Sequence, residues 1–260
     1  MRARLQKLYP MFELVRVWTY RIIRARYRQS VLGGLWAIIQ PVASVAIFSL
    51  IFVYFVPVNT GQTPYILFSY AAMMPWTLFS SSITDMIDSL VGNMNLIGKI
   101  YFPREILPVS AMLARVVDFF ISGIILVSLM VFYKNPLYLD GILYFPLLLI
   151  LQLVLALGIG FLGAALNVFY RDARPVFALG LQIWFYATPI IYSVSSVPKD
   201  FLPFYYINPM VGIITAYRSI LFEHTLPGSY LGYSAVFAFV FLFLGYWFFK
   251  KVEFQFADVV

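Results

Sequence analysis

Gly92, Gly98 and Lys99 stand in the run "LVGNMNLIGKIYFPRE", residues Leu90 to Glu105, with the outline of a phosphate-binding loop. Such a loop reads G-x-x-x-x-G-K-[ST]; its backbone N–H groups cradle nucleotide phosphates and its hydroxyl meets Mg²⁺. Here five residues separate the two glycines where the motif needs four, and Ile100 takes the place of the hydroxyl. No strand-forming run precedes the stretch. The chain therefore carries no ATP site of this kind, and the role of the run must come from the rest of the chain.

Other chemistry is equally thin. His224 is the one histidine and cysteine is absent, so there is no disulfide framework, no thiolate and no set of metal ligands. Asp85 and Asp88 are spaced i, i+3 at the end of an apolar run, and Arg171 and Asp172 share a short turn. Neither pair places acids together on one catalytic loop, and no catalytic residue is assigned. Arg115 and Asp118 lie one turn apart within a long apolar run. Charges at membrane depth are costly, and i, i+3 spacing lets the two partly neutralise each other. They read as a structural ion pair, or as a contact with a moving helix or an anionic headgroup. A series of intramembrane acids, as a proton relay needs, is missing.

Composition decides what carries these residues. Of 260 residues, 62% are hydrophobic and 11% charged, against about 25% charged in a soluble domain. The expected fold is an all-α polytopic membrane protein. A spanning helix needs about 20 apolar residues, and six transmembrane helices are expected: Leu35–Val56, Tyr65–Thr84, Ile106–Phe132, Ile142–Phe169, Val176–Ile191 and Leu231–Phe249. The third and fourth are long enough to tilt. The basic N-terminus does not read as a signal peptide, because the first apolar run starts only near Leu35 and no small-residue cleavage site follows it.

Lys and Arg set the expected orientation. With six spans both termini share one side. That side holds Arg2, Arg4, Lys7, Arg16, Arg21, Arg24, Arg26, Arg28, Lys99, Arg104, Arg171, Arg174, Lys250 and Lys251. The other side holds Lys134, Lys199 and Arg218. The asymmetry puts both termini in the cytoplasm. The net charge of +7 then reads as topology and headgroup attraction, since no nucleic-acid fold fits a chain of spanning helices.

Three segments between the spans are informative. Before the first span, Met11, Leu14, Val15, Trp18, Ile22 and Ala25 share one stripe, with Glu13, Arg16 and Arg24 opposite. This is an amphipathic helix for the cytoplasmic interface, either a plain anchor or a sliding helix at the mouth of a pathway. Leu90–Glu105 is a cytoplasmic loop broken by Gly92, Asn93, Asn95, Gly98 and Pro103. It is either a connector or a short helix whose polar edge docks a cytosolic partner. Phe201–Phe222 is apolar but interrupted by Pro203, Pro209 and Gly212, and reads as two short re-entrant or interfacial helices on the outer face. Irregular backbone at that depth must be buried in protein or line a cavity.

Aromatic residues make up 19% of the chain. Many suit interfacial belts, but Phe48, Phe52, Tyr54 and Phe55, and Trp184, Phe185 and Tyr186, cluster within spans. Such rings pack against lipid or core, and they also suit the apolar faces of sugars along a pathway. Gly158, Gly160, Gly163 and Ala164 let helices approach closely, within one subunit or across a dimer.

The runs "RARYRQSVLGGLWAIIQP" (Arg24–Pro41), "NLIGKIYFPREILP" (Asn95–Pro108), "ALNVFYRDARP" (Ala165–Pro175), "PIIYSVSSVP" (Pro189–Pro198) and "INPMVGIITAYRSILF" (Ile207–Phe222) resemble the polysaccharide-export permeases of the ABC-2 transporter class. The resemblance runs in order from about Trp18 to Phe222. Its most specific parts are Tyr27–Trp36 and Tyr101–Glu105.

That resemblance implies a permease subunit that pairs as a homodimer with two copies of a separate ATPase. ATP and Mg²⁺ would sit in that partner, with no cofactor in this chain. The cargo would be a lipid-linked, polyprenyl-pyrophosphate polysaccharide: O-antigen first, with capsule or teichoic acid as alternatives. A drug or lipid permease shares the six-span plan, and a membrane-embedded glycan transferase is the rival from another class. The implied layout is a cytoplasmic segment over 1–34 with the interface helix, a six-span unit over 35–249 in the inner membrane, and a cytoplasmic tail over 250–260. The unit includes a coupling loop at 90–105 and an outer-face re-entrant segment at 198–225. Asn93, Asn95, Gly98, Lys99, Tyr101 and Arg104 would meet the ATPase. Trp18, Arg21, Arg24 and Arg28 would sit where the lipid headgroup enters, or contact bulk lipid. Phe48, Phe52, Tyr54, Trp184 and Tyr186 would line the translocation path.

Overall fold

The computed structural model describes the chain apart from residues 1, 29–35, 56–59, 62, 101, 137, 139–140, 142, 224 and 258–260. Tyr101, His224 and most of the Tyr27–Trp36 run lie outside the described residues. The described elements are helical, with no strand among them. They are α1 (Arg2–Arg28), α2 (Trp36–Leu50) continued by a π turn (Ile51–Phe55), α3 (Tyr65–Val91), α4 (Met94–Ile97), α5 (Ile106–Phe132), α6 (Phe145–Phe169), α7 (Ala173–Tyr186), α8 (Leu202–Tyr205), α9 (Pro209–Arg218) and α10 (Tyr230–Val252). A final 3₁₀ turn covers Glu253–Ala257.

Four of these, α3, α5, α6 and α10, are long and apolar enough to cross a membrane. At 1.5 Å per residue, the 27 residues of α5 reach about 40 Å, more than the roughly 30 Å hydrocarbon layer needs. The third expected span coincides with α5 to the residue, while the second runs on past Thr84 to Val91. The first and fifth differ from expectation. α2 has 15 residues before its backbone widens into the π turn. The fifth run was expected to reach Ile191, but α7 stops at Tyr186. Pro189 disfavours helical backbone in the residue before it, and the chain opens there.

α3 is the central helix, buried along nearly its whole length. α5 runs antiparallel to it, as the bonds Tyr70–Ser122 and Arg115–Asp85 show. α6 runs parallel to it, with Gln152 donating to the Pro75 carbonyl at 2.7 Å and Asn167 to the Ile87 carbonyl at 2.9 Å. Pro75 has no N–H, which removes the ladder bond to the Ala71 carbonyl; the Gln152 amide gives its bond to Pro75's own carbonyl and ties α6 to α3 at this turn.

The small residues of α6 pack within the subunit. A Cβ on Gly158 would strike the backbone of Phe241 and Leu242, and one on Gly245 would strike the Gly158 carbonyl. Only glycine lets α6 and α10 meet backbone to backbone here. On its other side α6 lays Gly160 against Met86 and Gly163 against Ile87.

The Phe201–Phe222 run forms two short helices, α8 and α9. Asn208 caps α9 by accepting from the Met210 N–H at 3.0 Å, and Pro209 holds its first turn. α9 is buried almost throughout, against α3, α6 and α10. α1, α4 and the C-terminal turn gather at the opposite end of the bundle, where α1 packs on α5 and α4 touches the turn.

Candidate functional site

The stripe on α1 faces α5. Met11, Leu14, Val15, Trp18 and Ile22 are half-buried, while Glu13, Arg16 and Arg24 are exposed. Ala25, expected on the stripe, is exposed as well; Arg26 and Tyr27 take the inward positions at this end. Ser110 of α5 reaches the Val15 carbonyl at 3.3 Å.

Arg26 ties the helix down. Its Nη2 lies 2.7 Å from Asp85 Oδ2, and its Nη1 lies 2.7 Å from Asp118 Oδ2. Arg115 holds Asp85 with two bonds, Nε–Oδ2 at 2.6 Å and Nη2–Oδ1 at 2.8 Å, and reaches Asp118 at 3.3 Å. The Tyr27 hydroxyl donates to Asp118 Oδ1. Two cations and two anions are half-buried together and leave no net charge, which is the arrangement that makes burying them tolerable. Bidentate guanidinium–carboxylate contacts are among the stronger hydrogen bonds and fix direction. The network joins α1, α3 and α5. Sequence reading found Arg115 and Asp118, but it missed Arg26 and the bridging role of Asp85.

The other basic residues of α1 differ. The Arg21 guanidinium lies 4.5 Å over the Trp18 ring, a cation–π contact at an amphipathic surface. Arg24 and Arg28 are exposed and have no carboxylate partner among the described residues. They are free to meet an anion.

The Leu90–Glu105 loop contains the four-residue α4. Ile97 anchors it in the core, and Asn93 donates to the Ser89 carbonyl at 2.9 Å. Asn95, Gly98, Lys99 and Ile100 are exposed and form the outward edge. Arg104 is half-buried, with its guanidinium 6.0 Å from the Phe256 ring. Asn93 and Arg104 thus hold the loop, while Asn95 and Lys99 present it.

The aromatic residues form one wall between α2, α3 and α7. Phe48 stacks on Phe185 at 6.1 Å, Phe52 meets Tyr65 at 5.8 Å, and Trp184 meets Phe79 edge-on at 5.3 Å. Trp184 also donates to Asn208 Oδ1 at 2.7 Å. Tyr54 and Tyr186 are exposed.

Arg218 is a further residue that sequence reading gave no role. It is 5% exposed, at the end of α9. Its guanidinium donates to the carbonyls of Phe68, Pro189, Ile190 and Tyr192, and its Cζ lies 3.5 Å from the Phe68 ring centroid. It pins the segment after α7 to α3. No spacing in the sequence announces carbonyl partners. Among the described residues no cluster of acids, histidines or cysteines could hold a metal ion.

The family model described as "ABC-2 type transporter" matches residues 13–222. An O-antigen export system permease protein, RfbA, from Klebsiella pneumoniae is 29% identical over 250 residues, covering 96% of each chain. A protein of the same name from Myxococcus xanthus is 30% identical over 227 residues, 86% of each chain. The polysialic acid transport protein KpsM from Escherichia coli is 25% identical over 230 residues, 86% of this chain and 88% of its own.

Proposed function

The chain belongs to the ABC-2 type transporter family, and from that membership we infer that it is the permease subunit of an ABC transporter that exports O-antigen polysaccharide. The likeness to O-antigen export permeases along 96% of the chain carries this reading. The weaker likeness to a polysialic acid transporter supports capsule export as the second reading.

In this reading α2 and α7 cross the membrane with the four longer helices, which makes six spans. The position of α1 and the C-terminal turn at one end of the bundle supports placing both termini on the cytoplasmic side of the inner membrane. A separate ATPase subunit, in two copies, binds and hydrolyses ATP, and two permease subunits pair around the path. The ATPase docks on the exposed edge of Asn95, Gly98 and Lys99. Its closure pushes this loop, and the push reaches α3 and α5 directly. A pyrophosphate-linked glycan meets Arg24 and Arg28, whose free guanidinium groups suit phosphate oxygens. The polymer then slides along rings such as Tyr54 and Tyr186, held loosely at many points.

The test is mass spectrometry of lipid-linked glycans in cells depleted of this protein. A polyprenyl-pyrophosphate polysaccharide should accumulate inside while its surface form disappears. Unchanged surface glycan with no accumulation would sink the exporter reading. A change in drug sensitivity instead would point to the drug-permease class.

A further inference from the structure

The loop that this reading places on the ATPase does not stand alone. Behind it lies the C-terminal turn, Glu253–Ala257, in contact with α4. Phe256 of that turn is fully buried. Its ring packs 5.5 Å from Phe249 of α10 and 5.8 Å from Phe169 of α6, and the Arg104 guanidinium of the loop lies 6.0 Å from its centroid. Beside it, Lys250 donates to both carboxylate oxygens of Glu105 at 3.1 Å and to those of Glu253 at 3.0 and 3.1 Å. Glu105 is the residue that enters α5. One ammonium therefore joins the loop's exit, the end of α10 and the turn. A cavity of about 210 Å³ lies between Phe102 and Arg104 on one side and Lys250 and Phe254 on the other. The loop and the turn thus meet through a ring and a charge cluster as well as through α4, and the cavity lies beside the charge cluster.

We propose that the C-terminal turn, through Phe256 and the Glu105–Lys250–Glu253 cluster, is a positioning element that holds the docking loop and passes its displacement to α10 as well as α5. The proposal rests on the reading of residues 95–104 as the ATPase contact. Without Phe256 the loop keeps its exposed edge but loses its backing. The ATPase would still bind and turn over, and its stroke would be absorbed by the cavity instead of moving the bundle.

The chain has no cysteine, so introduced cysteines report without background. The test uses the full-length permease with its cognate ATPase subunit. Spin labels at Asn95→Cys and Gln255→Cys, both exposed positions, give a distance distribution across the contact. Surface glycan in the source cell is measured beside ATP hydrolysis by the purified complex. Phe256→Ala should leave the ATPase bound and active, broaden the distance distribution, and lower surface glycan at least fivefold. Phe256→Tyr should behave as wild type. Should Phe256→Ala fail to reach the membrane, the charge cluster supplies the same test. Glu105→Lys should lower surface glycan, and inverting the whole cluster, Glu105→Lys with Lys250→Glu and Glu253→Lys, should restore it. Normal export and an unchanged distance in Phe256→Ala, or no recovery in the triple variant, overturns the positioning role. Cross-linking from Asn95→Cys to the ATPase separates the two readings. No cross-link removes the docking assignment itself, whereas a cross-link with normal export in Phe256→Ala removes only the role of the turn.

Discussion

Arg26 and Asp85 are 59 positions apart in the chain and 2.7 Å apart in space. Their contact makes α1 part of the bundle. Arg26 serves two carboxylates with two different nitrogens. Arg26→Lys keeps the charge but brings all its donors from one atom, so it should hold Asp85 and Asp118 less firmly than the planar fork does. Arg26→Ala should cost about 2 kcal/mol, the scale of a hydrogen bond to a charged group. It should also loosen α1, seen as faster trypsin cleavage at the exposed Arg24 and Arg28. Unaltered cleavage would show that the apolar stripe holds α1 without the network.

The close passage of α6 and α10 gives a second prediction. Gly158→Ala adds a methyl group where the partner backbone already lies, and the helices must separate along their length. Overpacking of this kind costs about 1–3 kcal/mol. The midpoint of thermal unfolding in detergent should fall for Gly158→Ala and for Gly245→Ala. Gly180→Ala, where a Cβ would meet nothing within 4 Å, is the control and should leave it unchanged.

A third prediction concerns pH. Burial, and then the hydrogen bond to Asp118, push the Tyr27 hydroxyl from 10.0 up to about 12. The protonated hydroxyl is the donor, so the folded state keeps a proton that the unfolded state releases near pH 10. The contribution is therefore complete below about pH 10 and is lost as pH rises towards 12. The α1 helix should become more accessible to trypsin over that window, and Tyr27→Phe should flatten the difference. An equal alkaline response in Tyr27→Phe would place the titrating group elsewhere.

Arg218 gives the fourth. Arg218→Met leaves buried carbonyls at Phe68, Pro189 and Ile190 without this donor, at about 1–3 kcal/mol for each that finds no other partner. Arg218→Lys keeps the charge but reaches fewer of them. Both variants should accumulate poorly in the membrane, the methionine more so. Normal levels of Arg218→Met would mean that the segment after Pro189 is held by its apolar contacts.

Much of this was legible from apolar periodicity. The ends of α5 follow directly from the length of its hydrophobic run, and the inward stripe of α1 follows from 3.6-residue spacing. What escaped is instructive. Arg26 continues the stripe four residues after Ile22, but a stripe is read from apolar residues, and a cation on it looks like an interruption. In the sequence Asp85 reads as the neighbour of Asp88, because helical spacing shows local pairs and hides partners from other helices. Arg218 counts in the sequence only towards membrane orientation, whereas its partners are carbonyls, which every residue has and no sequence pattern marks. α7 ended early because Pro189 acts backwards on the chain, an effect that a hydropathy window averages away.

The contact of Gly158 with Gly245 has a mechanical consequence. Only glycine fits at this crossing, so sliding either helix would bring a side chain into a space too small for it, and α6 and α10 should act as a single beam. That beam has the C-terminal turn at one end. Nearer the other end Ser234 lies against Gly212 of α9, so closely that a Cβ there would strike its hydroxyl. A load applied at the turn would arrive at α9 with little lost to bending. Amide hydrogens of α6 and α10 should then exchange with solvent as one unit, and Gly158→Ala should split that unit in two.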